Sequence, residues 1–234
     1  MKVEREIIKI EKYFGKIYCT ILIPKKFNKK CVIFSYGIIG QRPDSSNPLI
    51  YKLLELGFAC ALYDYEGCYN SYGSFSFYKG LLSLKKILRN LEKMFDEIIL
   101  VGISYGSLLN LHVLEFKKVY KIVCISTPIK ISTLKKHLQS VIRKMRRYPT
   151  FRISKNPLER LELLDLNYQP QLEFKDILFI HGKYDNLTKL SELKKFIKKF
   201  KLKLDVMIIP AGHVGFWIFN NQKILNKVIK FLLY

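Results

Sequence analysis

The chain alternates between short, wholly apolar runs and longer stretches in which apolar residues recur every three or four positions. The short runs are Cys31-Val32-Ile33-Phe34, residues 58–63, 98–101, 122–125, 177–180 and 206–209. Because they are apolar at every position, they predict strands covered on both faces, as in a parallel sheet. Residues 48–56, 81–95, 190–200 and 217–233 show helical spacing and predict helices, most of them lying between those strands. Ahead of them, residues 6–10 and 17–23 alternate around Phe14-Gly15-Lys16, the pattern of an antiparallel hairpin. Together these elements predict a single α/β domain over residues 1–234, with a mostly parallel eight-stranded sheet and helices on both faces.

One interval breaks the rhythm. Residues 129–174 separate two strands by more chain than a crossover helix needs, which predicts an inserted helical cap. Within it Ile131, Leu134, Leu138, Val141, Ile142 and Met145 recur at helical spacing, predicting a helix over residues 132–145 that ends before Tyr148-Pro149. From Lys130 to Lys155 there are nine basic residues and no acid, so this helix carries a basic face.

Composition changes the picture in two ways. Across 234 residues, 41 Lys+Arg against 19 Asp+Glu give a net charge of +22, which raises nucleic acid, anionic membrane or acidic substrate as partners. Many of these charges lie on helix faces, as in Lys194-Lys195-Phe196-Ile197-Lys198-Lys199, and no nucleic-acid-binding signature accompanies them, so no nucleic acid is expected. The N-terminus is charged where a signal peptide is apolar, and no apolar run reaches about 18 residues, so the expectation is a cytoplasmic protein without a transmembrane segment. Peripheral membrane contact through the basic cap is left open. Five cysteines without a C-x-x-C pair are expected to be buried thiols, with no metal and no cofactor.

The chemistry follows from one pentapeptide. Gly102-Ile103-Ser104-Tyr105-Gly106 lies between the predicted strand 98–101 and the run 107–114, which reads as a helix. A G-x-S-x-G at such a junction forms a nucleophile elbow, in which the serine projects above the sheet. A serine hydroxyl needs a base to take its proton and a carboxylate to orient that base. Asp185 lies just past the strand 177–180 and His213 just past 206–209, at the edge where parallel sheets gather their sites. Asp176 and Asp205 precede their strands, Asp165 lies in the cap, His112 lies inside the predicted helix, His137 sits on the cap, and His181 precedes Asp185. The predicted constellation is therefore Ser104, His213 and Asp185, in the chain order Ser, Asp, His. The Tyr105 N–H is an oxyanion donor by position, and a second belongs to the loop at residues 35–40.

These motifs resemble those of compact α/β-hydrolase serine esterases, notably the feruloyl or cinnamoyl type and the hydrolase domains of the prolyl-oligopeptidase type. Tyr36-Gly37-Ile38-Ile39-Gly40 is similar to an H-G-x-x-G loop, residues 64–73 to D-x-R-G-x-G-x-S-x-G, and residues 181–185 to H-G-x-x-D. The resemblance covers about residues 14–125 and 175–232. It implies the α/β-hydrolase fold, ester cleavage through a Ser-His-Asp acyl-enzyme, the Ile38 N–H as second oxyanion donor, and an insertion that acts as a variable cap. The chain departs from it at Tyr36, where histidine is usual, and at Glu66, where arginine is usual. Tyr36, Leu138, Val141, Phe216 and Trp217 are the expected substrate-binding residues, the last two also being suited to packing the final helix. Alternative readings are cleavage of acyl thioesters or small amides, with a basic cap holding coenzyme A phosphates, and a non-catalytic protein that binds an anionic membrane or polymer.

Overall fold

The computed structural model describes residues 7–38, 43–44, 46–166, 175–201 and 204–234. Eight strands form one sheet: β1 (Ile7–Phe14), β2 (Ile17–Pro24), β3 (Lys30–Ser35), β4 (Ala59–Tyr63), β5 (Glu97–Ile103), β6 (Val119–Ile125), β7 (Asp176–Gly182) and β8 (Asp205–Ile209). Their spatial order is β1-β2-β4-β3-β5-β6-β7-β8, antiparallel at the β1–β2 and β2–β4 pairs and parallel elsewhere. The six apolar runs fall within these strands except Phe58, which lies one residue ahead of β4. In β5, Ile98 to Val101 are fully buried, each contributing about 1.5–3 kcal/mol relative to exposure. The edge strand β1 is instead mostly exposed and carries the Lys9–Glu11 ion pair, a charged border of the kind that discourages pairing with another chain.

Chain order reverses beside β3. The chain leaves β3 for β4 on one side and returns to β5 on the other, so the connections diverge there and leave a crevice above the carboxyl ends of β3 and β5. Ser104 follows β5 and Gly37 follows β3, so both stand at this crevice. The helices are α1 (Pro48–Glu55), α2 (Phe77–Leu91), α3 (Tyr105–Asn110), α4 (Lys135–Met145), α5 (Leu190–Lys199) and α6 (Gln222–Leu233).

Three helix boundaries depart from the hydrophobic pattern. α2 begins at Phe77 rather than near residue 81, because the Ser76 hydroxyl accepts from the Lys79 N–H at 3.2 Å and caps the helix ahead of Gly80. The run after the elbow is helical only to Asn110; Leu111, Val113 and Leu114 are buried in turns instead. The predicted helix over residues 217–233 is divided into a 3-10 segment (Phe216–Asn220) and α6, because the Asn221 side chain accepts from the N–H groups of Lys223 and Ile224.

The cap combines a 3-10 turn (Ile131–Leu134), α4, and a strap from residue 146 onward. Its strap is joined to the loop after β4 by main-chain bonds. Tyr69 N–H donates to Thr150 O, Arg152 N–H to Gly67 O and Phe75 N–H to Arg152 O, each at 2.7 Å. Asp165 fixes the start of the cap, accepting from the Ser132 N–H at 2.8 Å and also from the Ser132 hydroxyl. Residues 167–174 of the predicted insertion lie outside the described residues.

Candidate active site

The elbow is built by close approach. Ser104 has φ 50° and ψ −118°, a conformation rare outside glycine that persists only where surrounding bonds impose it. Here the Ser104 N–H donates to Ile125 O at 2.7 Å, while the Ser104 carbonyl accepts from the Ser107 hydroxyl at 2.6 Å. Gly106 has to be glycine, because a Cβ there would stand 2.1 Å from the Ser35 carbonyl oxygen. Beneath it the Asn110 amide, oriented to satisfy both ends, donates to Ser35 Oγ at 2.8 Å and Gly106 O at 3.2 Å and accepts from the Gly102 N–H. Strand β3, strand β5 and α3 are thereby locked at the point where the serine emerges.

Asp185 follows β7 and its side chain is buried. Its Oδ1 accepts from the N–H groups of Leu187 and Thr188 at 2.9 and 2.8 Å, while Oδ2 accepts from the Thr188 hydroxyl at 2.7 Å and His213 Nδ1 at 2.8 Å. Burial alone would push the carboxyl up, but the bonds from His213 and Thr188 outweigh it and hold Asp185 well below the usual carboxylate range. An ionised carboxylate only accepts, so the proton in this bond belongs to His213 Nδ1, and the neutral ring keeps its lone pair on Nε2. Ser126, at φ 48° after β6, sits between the two loops: its hydroxyl accepts from the Val214 N–H at 3.2 Å, and its carbonyl oxygen lies 3.3 Å from Thr188 Oγ1.

Two other histidines are enclosed. His181 Nε2 lies 2.5 Å from the Thr188 carbonyl and His112 Nε2 lies 2.9 Å from the Leu164 carbonyl, geometries that put the proton on Nε2 of each ring. Burial lowers both pKa values below the ordinary histidine range, and the carbonyl bonds offset only part of that. An unfolded histidine binds its proton near pH 6.5 (about), whereas these folded rings resist protonation. Their contribution to stability is therefore complete above about pH 6.5 and is lost as pH falls toward the lowered folded values. Denaturant midpoints are expected to be lower at about pH 5.5 than at about pH 7.5, and His112→Gln, whose amide still donates, is expected to narrow that difference.

Ser104 and His213 face a common cavity of about 510 Å³. Ile38 and Tyr105 border it beside the serine, and a Cβ on Gly37 would stand 3.4 Å from Ser104 Cβ. The Tyr105 N–H is the first of α3, so it has no acceptor within its own helix. The cap contributes Ile131, Leu134, Leu138 and Val141 to the wall, together with His137. Phe216 and Trp217 close the other side; Phe216 also packs on Phe34 with centroids 5.9 Å apart, while Trp217 is 60% exposed at the rim.

Tyr36 is the exception among the expected substrate contacts. Its ring does not line the cavity but is buried against Tyr65 at 4.5 Å, with its hydroxyl accepting from the Tyr65 N–H at 3.2 Å. The Tyr36 carbonyl in turn accepts from the Tyr65 hydroxyl at 2.7 Å, so the residue is held in the core from both ends. Of the loop that carries it, Ile39 and Gly40 lie outside the described residues. Glu66 forms an ion pair with Lys79 at 3.1 Å, so its charge is met from α2. Thr188 was not anticipated from the sequence. Its signal is the spacing Asp185-Asn186-Leu187-Thr188, an aspartate whose side chain accepts from backbone N–H groups two and three residues on.

All five cysteines are buried free thiols, and burial pushes Cys31, Cys60, Cys68 and Cys124 up, away from thiolate chemistry. Among the described residues no group of three or more His, Cys, Asp or Glu side chains is placed to hold a metal ion, and no helix is long and apolar enough to cross a membrane.

No family model matches the chain, and no curated protein does. Among solved structures, the Pyrococcus furiosus esterase Pf2001 superposes over 98% of this chain and 92% of its own, with a TM-score of 0.70 and 21% identity. The chain has the α/β-hydrolase fold. An α/β-hydrolase domain-containing protein 10 from mouse matches over 97% of this chain and 98% of its own, with a TM-score of 0.68 and 17% identity. An E-2-(acetamidomethylene)succinate hydrolase matches over 97% and 99%, with a TM-score of 0.70 and 18% identity. The α/β-hydrolase sheet thus accommodates this sequence over nearly its whole length, with each neighbour's chain also covered almost entirely.

Proposed function

We propose that this chain is a serine hydrolase that cleaves carboxylic esters, with Ser104 as nucleophile, His213 as general base and acid, and Asp185 as the carboxylate that orients His213. One observation carries the reading. The buried Asp185 is bonded to His213 Nδ1 at 2.8 Å, and that histidine shares a cavity with a serine held at φ 50°. A structural histidine does not need a carboxylate tied down by Leu187 and Thr188, and of the two serines held at positive φ it is Ser104 that borders the cavity, where such strain serves function.

In the reaction Ser104 Oγ attacks the acyl carbon as its proton passes to His213 Nε2. The carbonyl π electrons move to oxygen, and the Tyr105 and Ile38 N–H groups bind the resulting oxyanion. Collapse breaks the bond to the leaving alcohol, which takes the proton from His213 and departs. Water then repeats the sequence on the acyl-enzyme, delivering its proton to His213, which returns it to Ser104. Asp185 stays ionised throughout and stabilises the imidazolium.

The acyl group fits the apolar wall made by Leu138, Val141 and Phe216. A volume of about 510 Å³ is in the range of small-molecule sites. Purified protein is expected to hydrolyse p-nitrophenyl esters and to react with a fluorophosphonate. Val141→Trp, which fills part of the cavity, is expected to depress turnover of the longest accepted acyl chain more than that of acetate. Equal losses for both would remove the cap from the acyl pocket, and inertness of the wild type toward esters and fluorophosphonate together would remove the reading itself.

A further inference from the structure

A second concavity lies on the cap. It is an open cleft of about 690 Å³ between α4 and residues 155–159, and it shares no lining residue with the catalytic cavity. Lys135 and Arg143 from α4 and Arg146 just past its end line it together with Lys155, with Glu159 as the single carboxylate. None of these four cations takes part in an ion pair among the described residues, and Glu159 itself lies 3.9 Å from Arg160, outside the cleft.

We propose that this cleft binds a small molecule carrying two or more phosphoryl groups. Four cations against one carboxylate leave about three positive charges, and two phosphoryl groups at roughly −1.5 to −2 each neutralise them. The residue choice points the same way. Only eight of the chain's 41 basic residues are arginine, yet two of the four cations in the cleft, Arg143 and Arg146, are. A lysine-rich composition accounts for diffuse positive charge but not for this concentration. Arginine presents a planar fork that meets phosphate oxygens in pairs, whereas lysine is a point charge.

The shape separates the cleft from a general basic surface. Lys136, Lys144 and Arg147 belong to the same helical stretch but do not line it, while Gln139 and Asn156 do, adding uncharged donors between the cations. Ile142, Pro157 and Leu158 supply an apolar patch for the organic part of the ligand. The proposal does not rest on the hydrolase reading. It does give α4 two duties, since the helix also presents Leu138 and Val141 to the catalytic cavity.

The test is calorimetric titration of the full chain with inorganic pyrophosphate and with a nucleoside triphosphate at about 0.15 M salt, where diffuse surface attraction is screened. R143Q/R146Q is expected to weaken binding of both probes at least tenfold, while K144Q/R147Q, which removes the same charge outside the cleft, is expected to change it less than twofold. Thermal melting of both variants checks that they fold, and Lys155→Gln gives an independent reading if the cleft pair does not. Vesicles containing phosphatidylinositol 4,5-bisphosphate distinguish the source of the phosphoryl groups: retention lost only with R143Q/R146Q supports the site and assigns it to a lipid headgroup. Equal weakening by the two double variants, or absence of binding by the wild type to pyrophosphate, nucleotide and vesicles alike, overturns the proposal.

Discussion

Ser104→Ala is expected to lower kcat/KM for an aryl ester by at least about 10⁴-fold and to abolish labelling by a fluorophosphonate, because it removes the oxygen that would carry the acyl group. The fold should survive the change. The bonds that hold the elbow run through the Ser104 N–H and carbonyl, to Ile125 and from Ser107, and alanine keeps both. A melting temperature close to the wild type alongside lost turnover separates chemistry from stability. Labelling that persists in the alanine variant would assign the nucleophile elsewhere and end the case for Ser104.

Asp185→Asn is expected to cost about 10³- to 10⁴-fold in kcat. An asparagine can still accept the Leu187 and Thr188 N–H bonds through its amide oxygen, but its NH₂ group then faces His213. To pair with it the ring must accept at Nδ1, so its proton moves to Nε2, where the base has to be free. Retention of more than a tenth of the activity would show that His213 is oriented by something else, with Thr188 Oγ1, 3.4 Å from Nδ1, the nearest candidate. The same variant has an acid-stability signature. The depressed folded pKa means that the Asp185 carboxylate stabilises the protein above its unfolded value of about 3.9, and that this is lost as pH falls toward the lower folded value. Unfolding titrations across that window should therefore fall more steeply for the wild type than for Asp185→Asn.

The strands and the elbow were legible because both are encoded locally. Continuous apolar runs have few alternatives to a doubly covered strand, and two glycines four residues apart mark a place where backbone meets backbone. Asp185 and His213 followed from their positions just past such runs. The cap helix was legible through its 3.6-residue spacing, and structure places Leu138 and Val141 on the cavity wall. Helix ends were harder. Ser76 and Asn221 cap through a side chain, and a polar residue at a cap looks the same in sequence as one on a solvated face. Tyr36 lies off the cavity wall for a different reason: a motif position specifies where the backbone goes, and the ring is buried against Tyr65, a residue from another loop that no local pattern brings near. The support from Thr188 and Ser126 was hidden because it depends on three strand ends meeting, which no local pattern records.

The main-chain seam between the strap and the loop after β4 has a consequence for how such a protein can change. Tyr69, Arg152 and Phe75 hold the seam with N–H groups, and Gly67, Thr150 and Arg152 with carbonyls, so apart from Gly67, which sits at φ 76° with no room for a Cβ, and Arg152, whose guanidinium also bonds across the seam, it does not depend on side chains. Substitutions on the cap can therefore alter what enters the cavity without unseating the cap, while the serine, histidine and aspartate stay on the strand ends. Under the proposed function, drift in substrate preference is inexpensive in this architecture, and drift in chemistry is not.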